Sequence, residues 1–450
     1  MPPACPDRVL LLSMHTSPAD QPGSGDAGGM NVYVWHLARA LAQAGWLVDM
    51  ATLDRDPSHA QGVHPSDLAP GVRLLAVSLP GASAAPKQDL PRFAEPFGRA
   101  LAHFYDGHDA APRVLHAHYW LSAVAGLELA EHLHAPLVLT LHTSAAAKNL
   151  RAGTDEAPEP REREDAERRV ISRACRTVVN TPAEKQQLVE LYGADPARIE
   201  VIPPGVDPTV FRPASQDQGP RSLPTTAVPR GGEHGGERRA VRPDVGPDPA
   251  VLAPAQFPGQ PEPFTVLCAG RMQPLKGQQV LVRALGRLRR AHPETPVRLV
   301  LAGTGSPEFL DHLRELARAE GVAGDVVLRG SLPRPELARL MGSVDAVAVP
   351  SSSETFGLVA VEAQACGTPV LATDVDGLRY AVRDGETGRL VPGRDPEVWA
   401  EALHRAAADP AAWRAMSQAA ARRARELTWD DVAAQHARAY LACAGDGSTA

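Results

Sequence analysis

The stretch of sequence that decides the fold is PSSSETFGLVAVEAQACGTPV, residues 350–370. The apolar segment DAVAVPS (345–351) leads into it and TPVLAT (368–373) overlaps its end, and both have the composition of buried strands. Between them, Phe356 and Gly357 mark the start of a predicted helix. Strand, helix and strand form the repeating unit of a parallel doubly wound sheet. The stretch therefore predicts an α/β fold.

The same unit recurs upstream of this stretch. FTVLCAG (264–270), VRLVLAG (297–303) and DVVLRG (325–330) each predict a strand followed by a helix or a turn. These segments indicate a Rossmann-like domain over residues 264–427. A helical spacing of apolar residues over 428–442 predicts a last helix that packs back across the domain junction.

The first part of the chain shows the pattern independently. Strands are predicted at VLLLSM (9–14), WLVDMATL (46–53), RVLHAHY (113–119), PLVLTLH (136–142), RTVVN (176–180) and IEVIPPGV (199–206). A helix is predicted from Asn31 to Ala44, with Gly45 as its C-terminal cap. A second Rossmann-like domain thus covers residues 1–212. Between the domains, residues 213–263 hold 11 prolines and 7 glycines and predict a disordered insert or linker.

Composition narrows the class of protein. A chain of 450 residues exceeds what one hydrophobic core supports, and a net charge of −7 argues against a nucleic-acid partner. The 5 cysteines are widely spaced and predict neither a disulfide nor a zinc site, which fits a reducing compartment. The apolar start is too short for a signal peptide, and no segment reaches the roughly 20 apolar residues of a membrane helix. We expect a cytoplasmic protein without a membrane partner.

Two glutamates in the opening stretch carry the first chemical prediction. Glu354 and Glu362 are separated by seven residues, so on one helix they would lie about 80° out of phase. Both can serve one ligand only if Glu354 precedes the helix and Glu362 lies within it. The predicted helix start also offers N–H groups to a diphosphate. Without a ligand, the same pattern describes two solvated glutamates.

A second chemical element, AGRMQPLKG, follows the strand FTVLC. It places Arg271 and Lys276 at the carboxyl end of the sheet, where ligands of α/β proteins bind. Fixed cations there would stabilise the negative charge that develops on a departing diphosphate. An arginine and a lysine in a loop are otherwise solvated side chains.

The loop after the first strand holds Gly23, Gly25 and Gly28, a literal GxGxxG, and Asp49 follows about 20 residues later. This is the fingerprint of a dinucleotide-dependent oxidoreductase. Two details argue against that class: Gly23 comes nine positions after Met14, the last residue of the predicted strand, and Asp49 lies within the second strand. The glycines suit a loop whose N–H groups approach a phosphate or a sugar.

Polar residues follow three predicted strands of the first domain. His15, Tyr119 and His142 with Thr143 each come directly after a strand, so we expect them at one edge of the sheet. A single histidine at such a place is usually a hydrogen-bonded core residue, but three converging loops favour a site. Lys87 and Arg163 lie in charged segments that by themselves indicate solvated side chains.

The glutamate pair and the Arg271–Lys276 pair resemble the EX7E and phosphate-binding elements of family 4 glycosyltransferases with the GT-B fold. With HTSPADQPGSGDAGGMNVYV, KQDLP, HAHYWLS and HTSAAAKN, the chain resembles the D-inositol-3-phosphate glycosyltransferases of mycothiol biosynthesis. That family transfers N-acetylglucosamine from UDP-N-acetylglucosamine to 1D-myo-inositol 3-phosphate. The resemblance implies a retaining enzyme with a UDP-sugar donor and a phosphorylated small-molecule acceptor.

The resemblance also assigns roles to residues. It implies that Glu354 contacts the transferred sugar, that Glu362 contacts the ribose, and that Leu332 holds the uracil. The implied donor pocket is Gln21, Pro22, Gly29, Arg271, Lys276, Leu332, Glu354 and Glu362. The implied acceptor pocket is His15, Asp26, Ala27, Gly28, Gly29, Met30, Asn31, Lys87, Tyr119, Thr143 and Arg163. Lys87 and Arg163 would neutralise the acceptor phosphate, although other arginines of EPREREDAERRV compete with Arg163.

Catalysis would then rest on Glu354, His142, Arg271 and Lys276. No carboxylate in the matching motifs is an evident nucleophile, which favours transfer on the front face of the sugar, with His142 orienting the sugar. No cofactor is required, but the resemblance allows a structural Mg²⁺ near Met341 and Thr368. We expect a homodimer.

Three other functions remain open at this point. A transferase like sucrose-phosphate synthase would use a similar glycine loop and cationic pocket for another phosphosugar. A dinucleotide oxidoreductase would bind NAD(P)H, and a non-catalytic sugar-nucleotide binder would show no turnover.

Overall fold

The computed structural model describes residues 7–20, 28–107, 111–151, 158–213 and 262–446. Within these ranges the chain forms two sheets: one of eight strands, parallel except for one edge strand, and one of six strands that is parallel throughout. Nearly all of the predicted insert at 213–263 lies outside the described residues, so its disorder stays a prediction.

The eight-stranded sheet belongs to the first half of the chain. Its strands are β1 (Arg8–Leu12), β2 (Leu47–Leu53), β3 (Gly62–Ala69), β4 (Val72–Ser78), β5 (Val114–His118), β6 (Leu137–Thr140), β7 (Arg176–Val179) and β8 (Ile199–Val201), in the order β3-β4-β2-β1-β5-β6-β7-β8. Its helices are α1 (Gly29–Gln43), α2 (Ala94–Asp106), α3 (Trp120–His132), α4 (Ala145–Arg151), α5 (Arg161–Arg173) and α6 (Pro182–Tyr192). The six predicted strands are confirmed. Strands β3 and β4 were not predicted. Strand β3 pairs antiparallel to β4 at the sheet edge, and its largely exposed sequence lacks the apolar run of a buried strand.

The six-stranded sheet is parallel throughout. Its strands are β9 (Phe264–Ala269), β10 (Val297–Ala302), β11 (Val326–Arg329), β12 (Ala346–Val349), β13 (Val370–Thr373) and β14 (Gly388–Val391), in the order β11-β10-β9-β12-β13-β14. Its helices are α7 (Gln278–Ala291), α8 (Pro307–Ala319), α9 (Arg334–Ser343), α10 (Leu358–Ala365), α11 (Leu378–Ala381), α12 (Pro396–Ala408) and α13 (Pro410–Ala424). The doubly wound α/β architecture is therefore as predicted, with β14 added at the edge.

Helix α1 ends where the sequence predicts. Gly45 has φ +94°, a conformation that glycine adopts without steric cost. Its N–H donates to the Ala42 carbonyl at 3.0 Å, and the Trp46 N–H donates to the Leu41 carbonyl at 3.0 Å. This Schellman arrangement satisfies the last carbonyls of the helix and turns the chain into β2.

The last helix, α14 (Trp429–Asp446), leaves the second half and packs on the first, as predicted. The Trp429 ring stacks on His36 at 5.3 Å and meets the edge of Tyr33 at 5.5 Å. Further along the helix, the Tyr440 hydroxyl lies 2.7 Å from Nδ1 of His116 in β5. Helix α14 therefore connects the second half of the chain to the first by packing against α1 and β5.

A disulfide between Cys175 and Cys443 joins the segment before β7 to α14, with 5.9 Å between their Cα atoms. The prediction that no disulfide forms is wrong. The two cysteines are 268 residues apart, and only the return of α14 to the first sheet brings them together. The spacing of cysteines in the sequence does not indicate such a contact. Because a disulfide is present, the cysteines no longer support the prediction of a reducing compartment.

Among the described residues, no helix combines the length and the apolar character that crossing a bilayer requires.

Candidate active site

The carboxyl ends of both sheets border one cavity of about 800 Å³. Loops after β1, β5 and β6 form one wall, and loops after β9, β11 and β12 form the other. Fourteen of the predicted site residues line it: His15, Gly28, Gly29, Met30, Asn31, Lys87, Tyr119, His142, Thr143, Arg271, Lys276, Leu332, Glu354 and Glu362. Gln21, Pro22, Asp26 and Ala27 lie outside the described residues, so their roles stay predictions.

Glu354 and Lys276 form an ion pair on the wall from the second half. The Lys276 ammonium donates to Oε1 of Glu354, and the Ser351 hydroxyl donates to the same oxygen at 2.9 Å. Glycine makes this approach possible: Gly277 has φ +80°, and a Cβ there would lie 2.2 Å from the Pro350 carbonyl. The loop after β9 therefore presses against the loop after β12, which places the two charges together.

Glu354 precedes helix α10 and Glu362 lies within it, as the sequence requires for one ligand. Gly357 makes the turn between them at φ +99°, where a Cβ would lie 2.6 Å from Leu378 Cδ2. The α10 start is thus a sharp bend that only glycine fits. It turns both carboxylates towards the same cavity.

Arg271 meets the N-terminus of α1 across the cavity. A Cβ on Gly28 would lie 3.7 Å from Nη2 of Arg271, and a Cβ on Gly29 would lie 3.6 Å from Leu358 Cδ1. Asn31 fixes this helix start, because its Oδ1 accepts from the Gly28 N–H at 3.0 Å and its Nδ2 donates to the Thr16 hydroxyl at 2.8 Å. The first N–H groups of a helix and a guanidinium together attract an anion. The space between Arg271 and the N-terminus of α1 therefore suits a diphosphate.

Glu362 is paired with an arginine that the sequence did not single out. Its Oε1 lies 3.2 Å from Nη2 of Arg334, the first residue of α9. Burial raises the pKa of the Glu362 carboxyl, and the charge of Arg334 acts in the opposite direction. Leu332 lies two residues before Arg334 on the same wall.

On the opposite wall, an aromatic and cationic stack surrounds Thr143. The His15 and Tyr119 rings lie 4.4 Å apart, and the Arg163 guanidinium lies 4.9 Å from the Tyr119 ring centre. Nη2 of Arg163 donates to the Thr143 carbonyl at 3.1 Å. Tyr119 adopts φ +76°, a strained backbone for a tyrosine, which turns its ring into the cavity.

The structure also selects Arg163 from its neighbours, because Arg161, Arg168 and Arg169 are exposed. Arg163 is 3% exposed and is paired with Glu159 and Glu167, each at 2.8 Å. Its charge is therefore already balanced within the wall. It can orient Thr143 and Tyr119, while a dianionic ligand requires further cations.

Lys87 and Lys148 supply cations on the cavity surface. Lys87 is exposed and begins a short 3-10 helix, Lys87–Phe93. The Lys148 ammonium donates to Oε1 of Glu159 at 2.7 Å, next to Arg163. Sequence reasoning missed Lys148, although it lies in HTSAAAKN, one helical turn beyond the strand end that carries His142 and Thr143.

His142 lies at the junction of the two walls. Its backbone is strained at φ +61°, and its carbonyl accepts from the Thr355 hydroxyl of the opposite half at 2.6 Å. Its Nε2 lies 3.0 Å from Nδ1 of the buried His118. Burial lowers the pKa of His142 to about 3. A neutral and weakly basic imidazole fits a residue that orients a sugar better than one that removes a proton.

Met341 and Thr368, the candidate Mg²⁺ ligands, bond to each other. The Thr368 hydroxyl donates to the Met341 carbonyl at 2.6 Å. Among the described residues, the one group of three or more His, Cys, Asp or Glu side chains close enough to share a metal is His292, Glu294 and His404, elsewhere in the fold. Mg²⁺ is usually held through carboxylates, so the donor set at Met341 fits it poorly.

The dinucleotide fingerprint is not assembled in the described residues. Asp49 is fully buried in β2, where it accepts from Arg8 at 2.9 Å, from Arg73 at 2.9 Å and from the Tyr105 hydroxyl at 2.6 Å. A fully buried carboxylate that already has three hydrogen-bond partners inside a strand has no room for a ribose. Gly23 and Gly25 lie outside the described residues.

Comparison with known families matches both halves of the chain. The family model described as "Glycosyltransferase Family 4" matches residues 27–210, and the family model "Glycosyl transferases group 1" matches residues 253–423.

Curated relatives match over nearly the whole length. The D-inositol 3-phosphate glycosyltransferase of Paenarthrobacter aurescens (strain TC1) is 42% identical over 439 residues, which is 96% of this chain and 97% of that protein. The protein of the same name from Streptomyces coelicolor is 38% identical over 443 residues, covering 97% of this chain and 92% of that protein.

Solved structures agree with the architecture. Sucrose-phosphate synthase from Thermosynechococcus elongatus superimposes with a TM-score of 0.78 at 27% identity, covering 97% of this chain and 98% of that one. HepE from Anabaena, solved with UDP and glucose, has a TM-score of 0.67 at 18% identity, with coverage of 97% and 100%. The second likeness concerns the fold alone. The GT-B fold predicted from the sequence is confirmed.

Proposed function

Because the chain belongs to the D-inositol 3-phosphate glycosyltransferase family, we propose that it transfers N-acetylglucosamine from UDP-N-acetylglucosamine to 1D-myo-inositol 3-phosphate with retention of anomeric configuration. Family membership makes the protein a glycosyltransferase. The donor, the acceptor and the stereochemistry are the proposal.

The observation that carries the proposal is a cavity with two cationic regions, one on each wall. One consists of Arg271 and Lys276 beside the N-terminus of α1, and the other of Lys87 and Lys148 on the opposite wall. Two anionic groups therefore find partners at once: the diphosphate of a nucleotide sugar and the phosphate of an acceptor. Glu354 lies with Lys276 at the first region, where the transferred sugar would be bound.

The chemistry follows from these positions. As the bond between the anomeric carbon and the diphosphate oxygen breaks, negative charge grows on that oxygen beside Arg271 and Lys276. These cations are fixed before the reaction, so they stabilise the transition state more than the ground state. A hydroxyl oxygen of the acceptor forms the new bond to the anomeric carbon, and its proton passes to the departing diphosphate oxygen.

The state of the carboxylates argues against a covalent glycosyl-enzyme intermediate. Among the described residues that line the cavity, the carboxylates are Glu354 and Glu362, and each is paired with a cation. A covalent intermediate requires an available carboxylate nucleophile. Front-face transfer needs none, and His142 would position the sugar rather than act as a base.

A second candidate is transfer to another phosphosugar, favoured by the likeness to sucrose-phosphate synthase over 97% of this chain. The test is UDP release with UDP-N-acetylglucosamine or UDP-glucose as donor, and with inositol 3-phosphate or fructose 6-phosphate as acceptor. We expect turnover chiefly with the first donor and the first acceptor. Preference for UDP-glucose and fructose 6-phosphate would replace the proposal by this second candidate.

The same preparation separates the other classes. A dinucleotide oxidoreductase would bind NAD(P)H in a fluorescence titration, and a non-catalytic binder would bind UDP without turnover with any acceptor. The homodimer and the structural Mg²⁺ remain predictions, to be tested by light scattering and by metal analysis of the purified protein.

A further inference from the structure

Arg334 contacts Glu362 in a way that leaves part of the carboxylate available. Its Nη2 lies 3.2 Å from Oε1, and both side chains border the cavity. An ionised carboxylate has roughly four acceptor positions on its two oxygens. One contact from Arg334 therefore leaves acceptor positions for a ligand.

The guanidinium is itself held in place. Arg334 begins α9 directly after Pro333, and its guanidinium lies 4.9 Å from the centre of the Phe211 ring. The Arg334 side chain is 25% exposed and that of Glu362 is 9% exposed. Stacking on an aromatic ring restricts where a guanidinium can turn. Arg334 is therefore a fixed partner of Glu362 rather than a mobile surface arginine.

Burial is the reason that Glu362 needs such a partner. An isolated carboxylate in an apolar wall tends to take up a proton. Burial raises the pKa of Glu362, the charge of Asp207 raises it further, and Arg334 lowers it. A protonated carboxyl would lose acceptor capacity, whereas the ionised form can accept from two neighbouring hydroxyl groups.

We propose that Arg334 is a positioning residue for nucleotide recognition: it orients Glu362 so that the carboxylate accepts hydrogen bonds from both ribose hydroxyls of a nucleoside diphosphate. The inference rests on the proposed function, which places the donor nucleotide in this cavity. Arg334 would then act on the ribose through Glu362, without touching the sugar that is transferred.

The test compares UDP with 2′-deoxy-UDP, which lacks one of the two hydroxyls. Dissociation constants are measured by calorimetry for the full-length wild type, Arg334→Gln, Glu362→Gln and the double variant. We expect the wild type to prefer UDP by about tenfold or more, the factor typical of a hydrogen bond to a charged group. Arg334→Gln should reduce that preference to the low value of Glu362→Gln, and the double variant should reduce it no further.

Two further variants keep the result interpretable. Arg339→Gln changes an exposed arginine of the same helix and should leave both the affinity and the preference at the wild-type level. Arg334→Lys keeps the positive charge but lacks the planar guanidinium group. It should therefore fold even if Arg334→Gln does not, and its preference for UDP over 2′-deoxy-UDP should lie between those of the wild type and Arg334→Gln.

The outcomes separate the inference from the function on which it rests. If Arg334→Gln and Arg334→Lys weaken UDP and 2′-deoxy-UDP by the same factor, Arg334 acts on the base or the diphosphate, and the inference is overturned. It is overturned as well if Glu362→Gln lowers the preference and both Arg334 variants keep it. If the wild type binds no UDP, the proposed function fails first, whatever the variants do.

Discussion

Replacing Lys276 by methionine tests the charge placed at the departing diphosphate. Methionine keeps much of the apolar stem and removes the ammonium group. The Lys276 ammonium donates to Glu354, and the two side chains are 24% and 19% exposed, so water screens them only in part. Loss of one fixed group at a developing negative charge costs about 100- to 1000-fold in kcat, or about 2.7–4 kcal/mol. We expect Lys276→Met to lose that factor and to weaken UDP binding less.

The variant also leaves Glu354 without its cation. Because the pair is only partly buried, we expect a loss of about 1–2 kcal/mol in the free energy of unfolding. The double variant Lys276→Met with Glu354→Gln removes the unpaired charge. It should recover the stability, which would show that the unpaired Glu354 charge causes the loss. Its kcat is not diagnostic, because Glu354 is itself placed in catalysis, so a folding defect in Lys276→Met is assessed from its own urea unfolding.

The assay is steady-state UDP release with both substrates varied, together with calorimetry of UDP binding and urea unfolding. Arg290→Met is the matched control, because Arg290 is an exposed cation of helix α7 that is paired with Glu320 at 3.0 Å. It should retain wild-type kcat. A kcat within about threefold of wild type for Lys276→Met, accompanied by a large loss of UDP affinity, would show that Lys276 binds the ground state only and does not stabilise the transition state.

Three other predictions follow from the same structure. Lys87→Met should raise the acceptor KM and leave donor hydrolysis unchanged, and Lys148→Met should add to the effect; an unchanged acceptor KM in the double variant would remove both from the phosphate site. His436 is buried and its pKa is lowered to about 4, so the unfolded chain binds a proton that the folded chain excludes. Its contribution to stability is therefore complete above about pH 6.5 and should fall by about 2 kcal/mol at pH 5. Because the pKa of His142 is lowered as well, the reference is His436→Gln: the wild type should lose about 2 kcal/mol more than this variant in urea unfolding between pH 7 and pH 5, and equal losses would contradict the assignment. Cys443→Ser opens the bond to Cys175, which closes a chain segment of 268 residues, and should cost about 2–5 kcal/mol in oxidising buffer. Reductant should abolish the difference, and identical melting in oxidising buffer would show that the bond adds no stability.

Most of the site residues that the sequence predicted lie at the end of a strand or near the start of a helix. His15, Tyr119 and His142 follow buried strands, and the carboxyl ends of parallel strands meet at one edge of a sheet. Glu354 and Glu362 were placed by helix geometry, because only a helix beginning between them lets both face one ligand. The local sequence pattern therefore predicted which residues line the same cavity.

The partners of those residues could not be predicted in this way. Arg334 in α9 is paired with Glu362 in α10. Glu159 is paired with both Lys148 and Arg163. Glu159 and Arg163 are an i, i+4 pair. The Arg334–Glu362 and Lys148–Glu159 contacts, in contrast, depend on how neighbouring segments of the same half pack together, which spacing along the chain does not report. The disulfide between Cys175 and Cys443 failed as a prediction for the same reason.

The proposed reaction passes N-acetylglucosamine to inositol 3-phosphate with its configuration retained. NMR of the product formed from UDP-N-acetylglucosamine and 1D-myo-inositol 3-phosphate tests this reaction. We expect one new glycosidic bond whose anomeric proton has the same α configuration as the donor. A β-linked product would contradict front-face transfer, and release of UDP without any glycosidic product would contradict the assignment of inositol 3-phosphate as the acceptor.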